Sequence, residues 1–279
     1  MPEGDTVWLT ASRLHKALAG RPLAFSDFRV PALATVDLRG RTVEEVIARG
    51  KHILVRLGEL TVHSHLRMDG SWYLTAAGRS ARRHPEHLIR ARLGNAEWTA
   101  TGYRVHDLKV VERAGEAELV GHLGPDLLGP DWDPARAVEN LRRAPDAPIG
   151  EALLDQRNLA GIGNMYASEV LFMERLNPWT PVAAVPDLRH AVETAYRLLR
   201  LNRDHPEQST TGLLGRGQQH WVYGRRGEPC RRCRTPIRRE VQGEPPRQRV
   251  RDWCPTCQPA LASDERLSKM RTDRDRSGG

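Results

Sequence analysis

Four cysteines, Cys230, Cys233, Cys254 and Cys257, stand as C-x2-C-x20-C-x2-C and constrain the end of this chain more tightly than any other feature. Each C-x-x-C turn offers two thiolates in the bite that tetrahedral zinc takes. No fifth cysteine and no basic-then-apolar leader accompany them, which argues for one structural Zn2+ and against disulfides. The span between the pairs reads as a β-hairpin projecting Arg238, Arg239, Arg247, Arg249 and Arg251. A zinc ribbon can be a plain structural staple, but arginine at this density favours contact with phosphate.

The rest of the composition agrees. A net charge of +8 and a pI of about 9.8 favour a polyanionic partner, nucleic acid before an acidic membrane surface. No run of 18 apolar residues is present, so the expectation is a cytoplasmic protein. Of 43 basic residues only Lys16, Lys51, Lys109 and Lys269 are lysines. Lysine can give up its proton and arginine effectively cannot. Lys51 and Lys109 therefore draw attention, whereas Lys16 reads as a solvated helix position.

The chain opens Met1-Pro2-Glu3-Gly4. With Met1 removed, Pro2 presents a secondary amine, and α-amino groups titrate at about 7.7–8.0. Its neutral form would attack an aldehyde-like carbon to give a Schiff base, with the Glu3 carboxyl beside it to carry protons. With Met1 retained, that chemistry is absent. A plainer reading is also available: proline and acidic residues are common at helix starts. Val7, Ala11, Leu14 and Leu18 recur at helical spacing, with Asp5 or Thr6 as cap and Gly20 as stop.

Beyond that helix the first 110 or so residues read as β. Thr42–Ile47, His52–Leu57, Leu60–Leu66 and Ser71–Thr75 form apolar or alternating runs between glycine-bearing turns, the pattern of a sandwich or small barrel. From Pro148 the period becomes helical. Leu153 and Leu154, then Val170 and Leu171, flank the turn Ala160-Gly161-Ile162-Gly163-Asn164, and another helix covers Leu188–Asn202. Glycines there let the backbone approach a ligand, and the N–H groups opening the next helix, with Gly163 and Asn164, make an anion site; an ordinary αα-corner would read the same way. The expected division is a β-sandwich domain at 1–115, a linker at 116–146, a helical DNA-binding domain at 147–222, a zinc finger at 223–258 and a disordered basic tail at 259–279. His63 and His65 lie two apart on one strand face with no nearby third ligand in sequence, so phosphate contact by His65 is the better reading than a metal site. Met68 and Trp72 are either core residues or, if exposed at a loop tip, wedges between bases.

Together these segments resemble the formamidopyrimidine-DNA glycosylase and endonuclease VIII family. The resemblance runs in order through Pro2-Glu3-Gly4, Arg49-Gly50-Lys51-His52-Ile53-Leu54, His65-Leu66-Arg67-Met68, Leu154-Asp155-Gln156 to Glu169, Val222-Tyr223-Gly224-Arg225-Arg226-Gly227-Glu228-Pro229-Cys230, and Arg249 five residues before Cys254. It implies an α+β, bilobal fold: a helix-capped N-terminal β-sandwich, then a helical domain with a helix–two turns–helix motif and a β-hairpin zinc finger, with DNA in the basic cleft between them. It implies Pro2 as nucleophile on C1′, Glu3 as acid/base partner, Lys51 in β-elimination and phosphate contact, and Asn164 with Arg249 gripping the backbone around an extruded nucleotide, Arg249 also serving δ-elimination. The implied enzyme is a monomeric bifunctional DNA glycosylase and AP lyase of base-excision repair, acting on damaged double-stranded DNA of the nucleoid, with single-stranded or bubble DNA left open. The purine-directed branch carries a sizeable loop before the Val-Tyr-Gly-Arg segment, whereas here only Ser209–Trp221 separates the preceding helix from it, and Glu3-Gly4-Asp5-Thr6-Val7-Trp8 is similar to the actinobacterial endonuclease VIII side. The expected lesions are therefore oxidised pyrimidines, with oxidised purines as the alternative and Met68 as the residue filling the vacated stack. A non-catalytic zinc-ribbon binder is the rival from another class; it gives no reason for Pro2-Glu3 or Lys51.

Overall fold

The structure is a computed structural model that describes residues 2–79, 84–246 and 248–260. Met1, Arg247 and the tail from 261 onward, three places where the sequence raised expectations, lie outside the described residues. The described residues divide into two compact units: those up to 132 together with 203–206, and those of 133–202 together with those from 207 to 260.

The first unit begins with helix α1, Gly4–Leu18, and its apolar stripe Val7, Ala11, Leu14 and Leu18 is buried against strands of the sandwich. Each large side chain in that stripe contributes about 1.5–3 kcal/mol by leaving water. The helix starts earlier than Asp5 or Thr6. Glu3 is extended and its carbonyl accepts from Val7 N at 3.0 Å, which makes Glu3 the N-cap. Gly20 follows the end of the helix with φ +75°.

Eight strands follow: β1 Phe25–Phe28, β2 Glu45–Arg49, β3 His52–Leu57, β4 Leu60–His65, β5 Ser71–Ala76, β6 Ile89–Gly94, β7 Trp98–Tyr103 and β8 Asp107–Glu112. They form two four-stranded antiparallel sheets ordered β1-β6-β7-β5 and β2-β3-β4-β8. Trp72 is buried, and its indole N–H donates to Ser64 Oγ at 3.2 Å, tying β5 of one sheet to β4 of the other. That settles Trp72 as core. Helix α2, Glu116–Val120, comes next, and Glu116 accepts from Arg56 and Thr61.

In the second unit, helices α3 Pro134–Arg142, α4 Ile149–Ala152, α5 Asn164–Met173 and α6 Leu188–Asn202 pack around Leu141, Leu171, Ala195 and Leu199. The hairpin of β9, Arg238–Gln242, and β10, Arg249–Trp253, completes it. No helix among the described residues is long and apolar enough to cross a membrane.

Candidate active site

Pro2 is half-buried immediately before α1, and Glu3 has 0% exposure at the positive end of the helix dipole. Lys51 follows a turn that is built in detail. Gly50 has φ +57°, a conformation that costs a residue with a Cβ about 1–2 kcal/mol. Its N–H donates to Asp126 Oδ2 at 2.7 Å. Arg49 next to it holds Asp131 at 2.7 Å and the carbonyl of Gly124 at 3.1 Å. Burial pushes the Asp126 carboxyl upward despite the N–H groups of Gly50 and Leu128 that it accepts from. The stretch read as linker thus contains the anchor of the Lys51 turn. Asp126 was missed because it sits 76 residues away from Gly50.

Beside Lys51, antiparallel pairing sets His52 opposite His65, His63 opposite Lys109, and His65 opposite Asp107. His52 Nδ1 and His63 Nε2 are 2.8 Å apart, and the His52 ring packs edge-on against His65 at 4.8 Å. His65 Nδ1 accepts from Arg67 N at 3.0 Å, while Arg67 Nε donates to Asp107 at 2.6 Å. That guanidinium holds the Asp107 carboxyl below its usual range. At the tip of this loop Met68 is 69% exposed, the placement an intercalating residue requires.

Burial and neighbouring imidazoles push His52 down to about 3, and burial pushes His63 down to about 4, from an ordinary 6.5. Between those values and 6.5 the unfolded chain binds more protons than the folded one, so stability rises with pH. It is fully present above about 6.5 and is lost as pH falls toward 4. His52 alone should cost about 2 kcal/mol of stability by about pH 5. The melting temperature is expected to fall between about pH 7 and pH 5, and less steeply in His52→Phe. Parallel curves for the two proteins would contradict this.

In the second unit the turn before α5 is stapled by Gln156. Its amide donates to the carbonyls of Leu154 and Ile162 at 2.9 Å each and accepts from Gly161 N at 3.0 Å. Gly161 has φ +104°, open to glycine alone. Gly163 is the N-cap of α5 and Asn164 its first residue. Asn164 Nδ2 donates to Val250 O at 2.8 Å, so the structure brings Asn164 to the strand that carries exposed Arg249.

The arginines of the hairpin correct the sequence reading. Arg251 is 0% exposed; it donates to Gln242 Oε1 at 3.2 Å, Ser168 Oγ at 3.1 Å and Gly150 O at 2.9 Å. Arg239 is held by Asp252 at 2.6 Å, and Asp252 also accepts from Gly224 N. Of the four hairpin arginines among the described residues, only Arg238 and Arg249 are exposed and form no ion pair with a carboxylate. Arg251 turns inward because its face of β10 packs on α5.

Glu169 closes the Leu154–Glu169 segment of the resemblance but was given no role there. Its buried carboxylate accepts from the Thr210 hydroxyl and from the N–H groups of Trp221, Val222 and Tyr223, fixing the entry to the cysteine module. Its place in that segment, and its being a lone acid inside the apolar run Tyr166–Phe172, were its signals.

The Sγ atoms of Cys230, Cys233, Cys254 and Cys257 lie within 4.8 Å of one another, with close pairs at 3.9 and 3.4 Å. A tetrahedron with Zn–S near 2.3 Å has edges of about 3.8 Å. The four thiols fit one structural Zn2+.

The chain matches the formamidopyrimidine-DNA glycosylase N-terminal domain over residues 1–111, the H2TH domain of the same glycosylases over 123–200, and the zinc finger found in FPG and IleRS over 227–260. It is 58% identical over 261 residues to a probable endonuclease 8 2 of Streptomyces coelicolor, covering 92% of this chain and 94% of that one. The chain belongs to the formamidopyrimidine-DNA glycosylase and endonuclease VIII family. Another member, a DNA-(apurinic or apyrimidinic site) lyase Nei2 of Mycolicibacterium smegmatis, is 46% identical over 93% of this chain and 100% of that one. The fold agrees with a Lactococcus lactis Fpg solved with DNA containing N7-benzyl-Fapy-dG, at TM-score 0.77 and 23% identity over 93% of this chain and all of that one.

Proposed function

We propose that this chain removes oxidised pyrimidines from duplex DNA, within the DNA glycosylase and AP-lyase activity that its family membership gives it, and that it does so as a monomer on the bacterial nucleoid. The observation that carries the chemistry is the Glu3 carboxyl, wholly buried beside Pro2 at the head of α1. A helix N-terminus disfavours a protonated amine, so it would keep Pro2 in its nucleophilic form.

The steps follow from that pair. The damaged nucleotide leaves the stack, at a cost of a few kcal/mol. The Pro2 nitrogen forms a bond to C1′ as the base departs, and the proton that the bonded nitrogen sheds goes to the base anion, which restores the nitrogen lone pair. The C1′–O4′ bond then breaks, O4′ accepts a proton from Glu3, and the nitrogen lone pair completes an iminium. That electron sink acidifies C2′–H. Loss of this proton expels the 3′ phosphate, a second elimination expels the 5′ phosphate, and hydrolysis frees Pro2. Lys51 and His65 are assigned to the flanking phosphates, Gly163, Asn164 and Arg249 to the backbone of the extruded nucleotide, and Met68 to the gap it leaves. The exposed side chains of Met68 and Arg249 support those assignments.

The endonuclease 8 relatives support a pyrimidine preference. Duplexes carrying thymine glycol, 5-hydroxyuracil or 8-oxoguanine are expected to be cleaved with kcat/KM favouring the two pyrimidines by about tenfold or more. An equal or greater value for 8-oxoguanine would overturn the assignment.

A further inference from the structure

His63 is 5% exposed, and its Nδ1 is buried with no hydrogen-bond partner. Its other nitrogen, Nε2, sits 2.8 Å from His52 Nδ1, so one of the two must carry the proton. A buried N–H without an acceptor is rarer and more costly than a buried lone pair without a donor. The proton of His63 therefore belongs on Nε2, donated to His52 Nδ1. His52 is left with its own proton on Nε2. His65 reaches the same tautomer independently, because its Nδ1 accepts from Arg67 N. His52 and His65 face each other across β3 and β4, so one cross-strand pair carries two Nε2–H donors.

These rings stay neutral in their setting. Lys51 precedes His52, Lys109 lies across from His63, and Arg67 adds positive charge nearby, while Asp107 opposes them and is held by Arg67. A neutral donor beside lysine binds an anionic oxygen without adding to the cations that DNA must neutralise.

We infer that His52 and His65 donate together to a DNA phosphate beside Lys51, and that His63 touches no DNA but positions His52 by fixing its tautomer. This deepens the proposed function and rests on it for the identity of the anion. His52 is thereby a further binding residue and His63 a positioning residue.

The test combines 15N NMR of the imidazoles in DNA-free protein with binding of a duplex containing a tetrahydrofuran abasic analogue across a salt series. Both His52 and His65 should show the proton on Nε2. His63→Leu should weaken binding about fivefold, the range of one lost hydrogen bond, while the slope of log K against log salt stays that of the wild type. His63→Gln, whose amide N–H can replace the Nε2 donor, should recover to about twofold of wild type. A proton on His52 Nδ1, wild-type binding by a folded His63→Leu, a smaller salt slope, or no recovery in His63→Gln would each overturn the inference. Wild-type protein that ignores abasic DNA would instead overturn the functional reading, and the tautomers remain measurable in that event.

Discussion

Protein mixed with an abasic-site duplex and borohydride is expected to become covalently joined to the DNA, and Pro2→Leu is expected to abolish the adduct. Borohydride reduces only an iminium or imine, so the adduct reports the bond between a protein amine and C1′. A bulky second residue retains Met1, which turns position 2 into an amide and leaves its nitrogen without nucleophilic character. Removing the covalent nucleophile from an enzyme that depends on it costs about a thousandfold or more in rate. Glu3→Gln separates the two halves of the pair. It leaves the amine in place, so trapping at a preformed abasic site should persist, while excision of an intact lesion should slow by about a hundredfold, the scale of one general acid. Intact mass measurement supplies an independent check. Active enzyme still bearing Met1, or undiminished trapping in Pro2→Leu, would end the Pro2 assignment.

The parts of this site that the sequence displayed are those whose chemistry is local. Four thiols in two C-x-x-C turns converge because each turn is nearly complete within its own few residues. His63 and His65 share a sheet face because side chains alternate with period two along β4, whereas the third histidine beside them, His52, arrives only through the β3–β4 pairing and was not legible in the sequence. The α6 boundaries were readable for the same reason, from a strong helical stripe. What was hidden is what distance in sequence decides. Strands β1, β6, β7 and β8 carry threonine, aspartate, arginine and glycine at positions that become strand only when a partner pairs with them. Asp126 means nothing until it meets Gly50. Arg251 is the sharpest case. In a chain with dozens of surface arginines it looked like one more phosphate contact, and partners from 9 to 101 residues away made it a fully buried tie.

That tie makes the cysteine module more than an appendage, and removing its metal should show it. A two-stranded hairpin is marginal on its own in water. Structural zinc in finger peptides contributes about 10–16 kcal/mol near pH 7, comparable to the whole stability of a typical domain at about 5–15 kcal/mol. The thiols lie directly after β10 and shortly before β9, so losing Zn2+ releases both ends of the hairpin. Arg251 then leaves Ser168 and Gly150, Asn164 loses its bond to Val250 O, and Arg249 no longer has a fixed position. Chelation, or Cys254→Ser, is therefore expected to lower the melting temperature and to weaken binding to abasic-analogue DNA by about a hundredfold, with the salt slope falling as arginine contacts disappear. Restoring Zn2+ should reverse the chelated state but not the serine variant. Arg251→Met distinguishes metal from tie: it should keep one zinc per chain by metal analysis and still lose part of the DNA affinity. Metal-free protein that binds DNA as tightly as the zinc form would mean that the hairpin holds Arg249 by itself, against everything its length and its buried contacts predict.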